Sequence, residues 1–456
     1  MFVNRKKELQ RLSAALQSDE SKLIVIYGRR RLGKSTLLKQ LLGEKDVYFS
    51  ADLRSKPLQI AAVASTIEKI VPGFAKIIYP DWESLFTHFN QVLNKNTTLV
   101  LDEFPYLVKN SPELPSVIQK ITDNKMNDKY NLILCGSSQQ MMYSITLDSS
   151  SPLYGRCDEI IRVRPMSIYW LREYLSVNNI QAVEEYSIWG GVPRYWEIRK
   201  NGKLLEKTVK YNLLDPDGVL YDEPERLIRD EMRTSVLAFS VLSLIATGSN
   251  RISEIAGRLG KPATQLSRIM ALLTDLGYIK REIPFGTLLK SSKKTLYKIA
   301  DPFVNFYFTF IIPNKSNLEY GLPDQIWEEI RSKTASYVAY QWEELCRNAV
   351  PLLPFPETRF NQAFRWWGTG TDRKMMEVDV VAESLDKKTL LMAEVKWSDH
   401  ISFHKIATQL NRKCEKVPFA KNKKIIKAIF LKYPLKKTTT GDFLIFYPED
   451  VINALK

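Results

Sequence analysis

The chain has 456 residues, of which 45% are hydrophobic and 26% charged, and this composition is typical of a globular protein with sizeable cores. Its longest apolar stretch, SVLAFSVLSLIA, falls far short of the ~20 residues that span a bilayer, which excludes a membrane-spanning protein. Lys and Arg number 66 against 51 Asp and Glu, and the resulting net charge of +15 favours polyanionic partners such as nucleic acid.

The cysteines and the first residues indicate where the protein works. Its four cysteines, Cys135, Cys157, Cys346 and Cys414, are widely scattered and include no CxxC pair, which excludes a zinc ribbon or a redox motif. The start, MFVNRKKELQ, is charged and lacks the apolar core of a signal peptide. We therefore expect a cytoplasmic protein of about three domains that has no membrane partner.

The first predicted elements are a strand, a loop and a helix within SKLIVIYGRRRLGKSTLLKQLL. The run Leu23–Tyr27 is typical of a buried parallel strand, and residues 28–35 match the pattern GxxxxGK[ST]. Glycines in such a loop let backbone N–H groups face phosphates at the start of a helix, while Lys34 reaches the β/γ-phosphates and Ser35 binds Mg²⁺. The predicted ATP contacts in this segment are Gly28, Arg29, Gly33, Lys34, Ser35 and Thr36.

Two further apolar strands end in polar residues. TTLVLDEFPYL ends its strand in Asp102, predicted to hold the Mg²⁺ shell, and Glu103, predicted to be the catalytic carboxylate that orients the attacking water. NLILCGSS ends in Ser137 and Ser138, which either sense the γ-phosphate or form a simple turn.

Six segments occur in a fixed order: NRKKELQRL, GRRRLGKST, LVLDEFPYL, LILCGSS, SPLYGR and GGVPRYW. Together they resemble the archaeal-type ATPase family, in the STAND branch of the AAA+-related P-loop ATPases. The resemblance implies that Asn4, Arg5 and Glu8 border the adenine and that Pro193 faces the nucleotide from a helical lid. It also implies that Arg156 is a catalytic arginine finger, acting on a neighbour in a homo-oligomer. The alternative for Arg156 is a surface salt bridge.

Residues 166–232 have a helical pattern and are predicted to form the lid, after an ATPase core at 1–165. Residues 233–312 then follow the order of a winged helix-turn-helix, with helices at Ile252–Leu259 and 263–276 and two strands around a basic loop. One interpretation places this module on DNA. The other, drawn from STAND-type ATPases, has it pack on the ATPase and transmit the nucleotide state. The predicted DNA contacts are Thr264, Gln265 and Arg268 in the major groove and Lys290, Lys293 and Lys294 on phosphates.

A linker is expected at 313–335, followed by a last domain at 336–456. Its hairpin, EVDVVAESLDKKTLLMAEVKWSD, places Asp379 and Glu394 on neighbouring strands, with Lys396 on the same face as Glu394. Two carboxylates and a lysine suit phosphodiester cleavage with Mg²⁺, or Mn²⁺ in its place, and Glu343 on the preceding helix is the candidate third ligand. The alternative is that these are ordinary charges at the edge of a hairpin.

The segments RWW, EVDVVA and LLMAEVKWS look like the C-terminal nuclease-like domain often fused to this ATPase family. The resemblance implies a PD-(D/E)xK fold similar to restriction endonucleases, with Lys396 as its catalytic lysine, although some relatives of that fold bind DNA without cutting it. The basic run at 405–437 suits a phosphate track, and Trp366, Trp367 and Trp397 either stack on bases or belong to the core.

The sequence as a whole predicts an α/β multidomain protein with a parallel-sheet P-loop core. Its predicted function is an ATP-binding and ATP-hydrolysing switch that binds DNA and cleaves it with a bound metal. The alternative is a non-cleaving regulator in which ATP gates binding to DNA or to another protein.

Overall fold

The computed structural model describes residues 3–18, 20–93, 97–123, 129–202, 204–232, 234–287, 294–356, 358–435 and 440–456. The chain divides into two compact units, Met1–Pro165 and Met166–Lys456. Within the described ranges, no helix is both long and apolar enough to cross a membrane. Four basic residues to which we assigned phosphate contacts, Lys290, Lys293, Lys436 and Lys437, lie outside the described residues.

The first unit is built on a sheet of five parallel strands, counted over its described residues. These are β1 (Leu23–Tyr27), β2 (Val47–Ser50), β3 (Thr97–Asp102), β4 (Tyr130–Gly136) and β5 (Glu159–Arg162), in the spatial order β2-β3-β4-β1-β5. Every residue of β3 and β4 is buried, which explains why these strands read as continuous apolar runs. Parallel pairing brings the carboxyl ends of β1, β3 and β4 to one edge of the sheet.

Helices connect and cover these strands. They are α1 (Lys6–Leu16), α2 (Lys34–Lys39), α3 (Lys56–Ile67), α4 (Trp82–Val92), α5 (Phe104–Asn110), α6 (Leu114–Asp123) and α7 (Gln139–Thr146). In α4, Trp82, Phe86 and Phe89 recur at the spacing of one helix face and enter the same core cluster as Leu99 and Leu101 of β3. The spacing of large apolar side chains thus attaches the helix to the sheet.

The second unit begins with helices and a small antiparallel hairpin. The helices are α8 (Ile168–Leu175), α9 (Asn179–Trp189), α10 (Pro193–Asn201), α11 (Leu205–Val209), α12 (Glu223–Glu231), α13 (Ser235–Ala246), α14 (Ile252–Leu259) and α15 (Ala263–Asp275). The strands β6 (Ile279–Glu282) and β7 (Leu296–Ile299) follow and pair antiparallel, forming what is called the hairpin below. Gly260, at φ 60, ends α14 in the left-handed conformation that glycine adopts without strain.

Three helices then lead to the last sheet: α16 (Pro302–Phe306), α17 (Lys315–Glu319) and α18 (Pro323–Ala349). The prediction of a linker at 313–335 is wrong at its C-terminal end, because α18 runs without a break across residue 335. Its first half buries Ile326 and Ile330, and its second half buries Val338 and Leu345, so one apolar stripe continues through both halves. The polar stretch RSKTAS, which lies between Ile330 and Val338, hid this stripe in the sequence.

The last sheet combines antiparallel and parallel pairing. Its strands are β8 (Phe364–Thr369), β9 (Met375–Glu383), β10 (Thr389–Lys396), β11 (Lys424–Leu431) and β12 (Phe443–Phe446), in the order β12-β11-β10-β9-β8. Strands β8, β9 and β10 pair antiparallel, whereas β10, β11 and β12 pair parallel. Helix α19 (Phe403–Lys416) connects β10 to β11, and α20 (Pro448–Ala454) follows β12. Trp366 and Trp397 are each 6% exposed and belong to the core.

The continuity of α18 is testable with a proline at exposed Ala335, in the middle of the helix. Ala335→Pro removes a helical hydrogen bond and clashes with the preceding turn, so we expect it to lower the free energy of unfolding by about 3 kcal/mol or more. Urea titration of the helical circular dichroism signal measures the change. Ala335→Gly is the control and is expected to cost about 1 kcal/mol. Equal urea midpoints for Ala335→Pro and the parent chain would contradict a single helix at 323–349.

Candidate functional sites

The loop between β1 and α2 is shaped to surround an anion. A Cβ on Gly28 would lie 2.4 Å from the carbonyl oxygen of Val163, so only glycine fits there, and Gly33 has φ 86 at the start of α2. The Lys34 ammonium donates to the carbonyl oxygens of Gly28 at 2.7 Å and Arg29 at 3.2 Å. Lys34 as a whole is only 6% exposed. The lysine therefore lies across the loop whose N–H groups are expected to face phosphates.

Both oxygens of the Asp102 carboxylate are held in fixed directions. Ser35 Oγ donates to Asp102 Oδ2 at 2.9 Å, and the backbone N–H of Glu103 donates to Oδ1 at 2.9 Å. Tyr48, on the neighbouring strand β2, also donates its hydroxyl to Oδ2. Burial and this bond to Asp102 raise the pKa of Tyr48, so its hydroxyl remains a donor. A hydroxyl beside a carboxylate is the oxygen donor set that Mg²⁺ prefers, so Ser35 and Asp102 fit that ion.

Sequence reasoning missed Tyr48. The segment VYFS shows only an ordinary strand pattern, and nothing in it singles out the tyrosine. The signal is the register of β2 on β3, which pairs Tyr48 with Val100 and brings its side chain within reach of the end of β3. Register between strands distant in sequence cannot be read from one chain.

Glu103 has an unusual backbone conformation. Its φ of 54 lies in the left-handed region that few residues other than glycine adopt. Its two carboxylate oxygens each accept from Ser137 Oγ at 2.8 Å, at the end of β4. The structure thus brings Glu103 and Ser137 together beside Asp102, whereas Ser138 caps α7 by accepting from the Met141 N–H.

The N-terminal segment contacts the main chain of the phosphate loop through the side chain of Arg5. Arg5 is 5% exposed and donates to the Leu32 carbonyl oxygen at 3.0 Å and to Glu8 at 3.0 Å. Burial lowers the pKa of Arg5, and the carboxylate of Glu8 opposes this shift. Asn4 accepts from the Lys6 N–H at 3.3 Å. Arg5 therefore connects the N-terminal segment to the loop itself.

Two other residues that were assigned to the nucleotide, Arg156 and Pro193, have neighbours of their own within their units. Arg156 forms a two-pronged ion pair with Asp123, at 2.8 and 3.1 Å, which is the surface salt bridge stated as the alternative to an arginine finger. Pro193 is the first residue of α10 in the second unit. It follows the turn at Gly190, whose carbonyl oxygen accepts from the Trp196 indole N–H at 2.8 Å.

The second candidate site is a carboxylate cluster on β9 and β10. The Lys396 ammonium lies 3.2 Å from Asp379 Oδ2 and 3.0 Å from Glu394 Oε2, so it bridges two carboxylates that are 8% and 3% exposed. Asp379 Oδ2 also accepts from the Val395 N–H at 2.9 Å. Burial and then the Asp379 charge raise the pKa of Glu394. Lys413 of α19, which we had assigned to a phosphate track, pairs with Glu394 instead.

The structure does not group the three predicted metal ligands, Asp379, Glu394 and Glu343, at one place, which corrects that prediction. Among the described residues, no three His, Cys, Asp or Glu side chains form a group that could hold a metal ion. Burial and then the Asp379 charge raise the pKa of Glu343. Glu343, however, pairs with Arg347 at 3.4 Å rather than joining the cluster. The Lys396 ammonium lies between Asp379 and Glu394, where a metal cation would otherwise bind. These two carboxylates, without Glu343, fit a divalent ion.

The predicted DNA contacts separate into exposed and packed parts. Thr264, Gln265 and Arg268 lie on the exposed face of α15, and Lys294 is exposed at the end of the undescribed loop segment. The hairpin itself packs against the last sheet, where the Phe285 N–H donates to the Arg365 carbonyl oxygen at 3.0 Å. Of the described residues among these predicted contacts, those on the α15 face and Lys294 are therefore exposed.

Known proteins resemble this chain along its whole length. A family described as "ATPase domain predominantly from Archaea" matches residues 2–197, and one described as "Archaea bacterial proteins of unknown function" matches residues 307–414. An uncharacterized protein of Methanocaldococcus jannaschii is 32% identical over 463 aligned residues, covering 99% of this chain and all of that protein. An uncharacterized ATP-binding protein of the same organism is 47% identical over 47 residues, which are 10% of this chain and 80% of that protein.

A solved structure shares the fold. The Walker-type ATPase of Pyrococcus abyssi superposes with a TM-score of 0.53 at 22% identity, over 67% of this chain and 96% of that chain. At this identity the likeness shows the fold alone. The parallel sheet with its phosphate loop is thus that of a P-loop ATPase.

The Tyr48 hydroxyl can be tested through the Mg²⁺ requirement. Tyr48→Phe removes one of the donors that orient the Asp102 carboxylate, and we expect the Mg²⁺ concentration for half-maximal ATP hydrolysis to rise roughly three- to tenfold. Nucleotide affinity measured without Mg²⁺ should stay unchanged. Tyr143→Phe, at an exposed position on α7, is the control. An unchanged or lower Mg²⁺ requirement would show that Tyr48 does not orient Asp102.

Proposed function

Because the chain belongs to a family of archaeal P-loop ATPases, we propose that it is an ATP-hydrolysing switch that binds DNA and cleaves it at the carboxylate cluster. The observation that carries the first half of this proposal is the Ser35–Asp102 hydrogen bond beside the loop lysine. The second half is carried by the Lys396 ammonium between Asp379 and Glu394. Membership of the STAND branch of AAA+-related ATPases is part of the proposal.

Each residue at the loop has a distinct task in ATP hydrolysis. On nucleotide binding, Lys34 exchanges its carbonyl partners for the β/γ-phosphates, and the loop N–H groups bind the same anion. Ser35 and Asp102 would hold Mg²⁺, which neutralises developing phosphate charge when bound. Glu103 orients the attacking water, and Ser137 holds its carboxylate until the phosphate arrives. In a homo-oligomer, Arg156 would exchange Asp123 for a nucleotide held by a neighbouring copy.

DNA binding is supported by charge and by an exposed helix. The order α13, α14, α15 and hairpin is that of a winged helix-turn-helix, in which the last helix enters the major groove. Its exposed face carries Thr264, Gln265 and Arg268, which are able to contact base edges or phosphates. The net charge of +15 adds sequence-independent attraction to the phosphate backbone.

Cleavage is assigned to the PD-(D/E)xK-like arrangement on β9 and β10. Asp379 and Glu394 would hold Mg²⁺ or Mn²⁺ in the position that the Lys396 ammonium now occupies. The bound ion supplies Lewis acidity toward the phosphodiester and lowers the pKa of a water molecule. Lys396, released from the two carboxylates, would orient that water by donating a hydrogen bond to it, and Lys413 compensates the charge of the deeply buried Glu394.

One observation favours the alternative, a non-cleaving regulator. Two ammonium groups, from Lys396 and Lys413, already neutralise the Asp379 and Glu394 carboxylates. If these ion pairs persist when DNA is bound, the cluster is a structural element and the domain holds DNA without cutting it. ATP would then gate binding alone.

The ATPase half is tested by Lys34→Ala. Loss of the ammonium removes the cation that contacts the β/γ-phosphates, so we expect phosphate release to fall by at least a hundredfold, to background. Lys45→Ala, a charge loss at an exposed position after α2, is expected to keep full turnover. Phosphate release that persists in Lys34→Ala would mean that hydrolysis occurs elsewhere.

The cleavage half is tested by Asp379→Ala on plasmid and single-stranded DNA with Mg²⁺ or Mn²⁺. Removing one of the two carboxylates should abolish nicking, because a single acid cannot hold and orient the ion. Asp442→Ala removes a highly exposed carboxylate from the same domain and should nick as the parent does. DNA left intact by the parent chain under every condition would establish the regulator.

A further inference from the structure

A network of partly buried charges around one buried arginine lies next to the carboxylate cluster and joins β6, β7 and α18. Among the described residues it includes three cations and three carboxylates, called the ion network here: Lys280, Lys298, Arg347, Glu282, Glu343 and Glu344. The hairpin supplies Lys280, Lys298 and Glu282, and the other members come from α18.

Arg347 is the centre of the network. Its side chain is 4% exposed, and its guanidinium lies 3.0 Å from Glu344, 3.4 Å from Glu343 and 3.8 Å from Glu282. A charge so deeply buried is tolerated only with partners on several sides, and removing one partner leaves an uncompensated ion. Burial opposes ionisation of Glu344, but Lys280 and Arg347 together lower the pKa of Glu344 to about 2.

The same guanidinium contacts the carboxylate cluster through the main chain. Arg347 Nη1 donates to the carbonyl oxygen of Asp379 at 3.0 Å. The side chain of that aspartate is held from the other direction by the Val395 N–H at 2.9 Å and by Lys396. Arg347 therefore fixes the distance between α18, which carries Glu343, and the point of β9 from which Asp379 projects.

The hairpin holds Arg347 from outside the last sheet. Glu282 pairs with Lys298 of the adjacent strand at 2.9 Å and lies 3.5 Å from Arg365 of β8. The Lys280 ammonium lies 2.5 Å from Glu344, one residue after Glu343 on α18. These pairs attach the hairpin to both the helix and the edge strand.

We propose that Arg347 is a positioning residue for Asp379, and that Glu282 of the hairpin keeps Arg347 in place so that Asp379 and Glu394 bind a divalent ion. The inference rests on the proposed metal-dependent function of the cluster. It makes the two hairpin strands, Ile279–Glu282 and Leu296–Ile299, part of the support of that site, although they lie in the predicted winged helix. The hairpin then has a structural partner, so DNA contact by this module falls to the α15 face.

The test is a Mn²⁺ titration of the full chain without nucleotide, followed by the electron paramagnetic resonance signal of the free ion. Asp379→Ala gives the background from other sites, and the difference from the parent chain gives the affinity of the cluster. Glu282→Gln should raise the dissociation constant for Mn²⁺ about tenfold, because Arg347 is then drawn toward Glu343 and Glu344. Arg347→Lys keeps the charge but loses the planar guanidinium, which donates in several directions at once, and it should weaken Mn²⁺ binding about fivefold.

Two controls separate positioning from general damage. Glu383→Gln lies on the same strand as Asp379 but pairs with Lys423, and should bind Mn²⁺ within twofold of the parent. Thermal melting of every variant reports folding. If Glu282→Gln fails to fold, Arg347→Lys decides the question, because it leaves no buried charge unpaired.

The outcomes are distinct. Weaker Mn²⁺ binding in folded Glu282→Gln or Arg347→Lys, with Glu383→Gln unchanged, supports positioning. Parent-like Mn²⁺ affinity in both folded variants overturns it while leaving the cluster as a metal site. A parent chain whose Mn²⁺ binding does not depend on Asp379 refutes the metal-dependent function and, with it, this inference.

Discussion

A carboxylate that is removed from water needs a cation or hydrogen-bond donors, and this requirement shapes both candidate sites. Asp102 meets it with Ser35, Tyr48 and the Glu103 N–H at the end of β3. Asp379 and Glu394 meet it with the ammonium groups of Lys396 and Lys413. In each place at least one donor comes from an element distant in sequence, Ser35 and Tyr48 for Asp102 and Lys413 for Glu394. The folded chain therefore prepares an arrangement that a divalent ion can enter by exchanging one partner.

The site residues that a local pattern could predict lie close together in the chain. Residues 28–36 form one continuous segment that includes the start of α2, and Asp102 and Glu103 stand at the end of one buried strand, so a local pattern specifies them. Glu394 and Lys396 lie two residues apart on β10, and the period of a strand alone places them on one face. The parallel core and the last sheet followed from the same kind of pattern.

The residues that were missed or misassigned depend on packing between distant segments. Tyr48 reaches Asp102 only through the register of β2 on β3, and Lys413 reaches Glu394 only once α19 lies on β10. The linker was mistaken because a polar stretch interrupts the apolar stripe of α18. Glu343 was assigned to the metal although Arg347, four residues later on the same helix, lies beside it. Competing partners of this kind become visible only in three dimensions.

The claim that joins these features is that the nucleotide bound at residues 28–36 governs how the basic second unit handles DNA. The most direct test is the dissociation constant of the full chain for DNA, measured with Mg²⁺ and a non-hydrolysable ATP analogue and again with Mg²⁺ and ADP. A switch predicts affinities that differ at least fivefold between the two nucleotides, and no difference in Lys34→Ala. Equal DNA affinity with both nucleotides in a parent chain that binds them would contradict it.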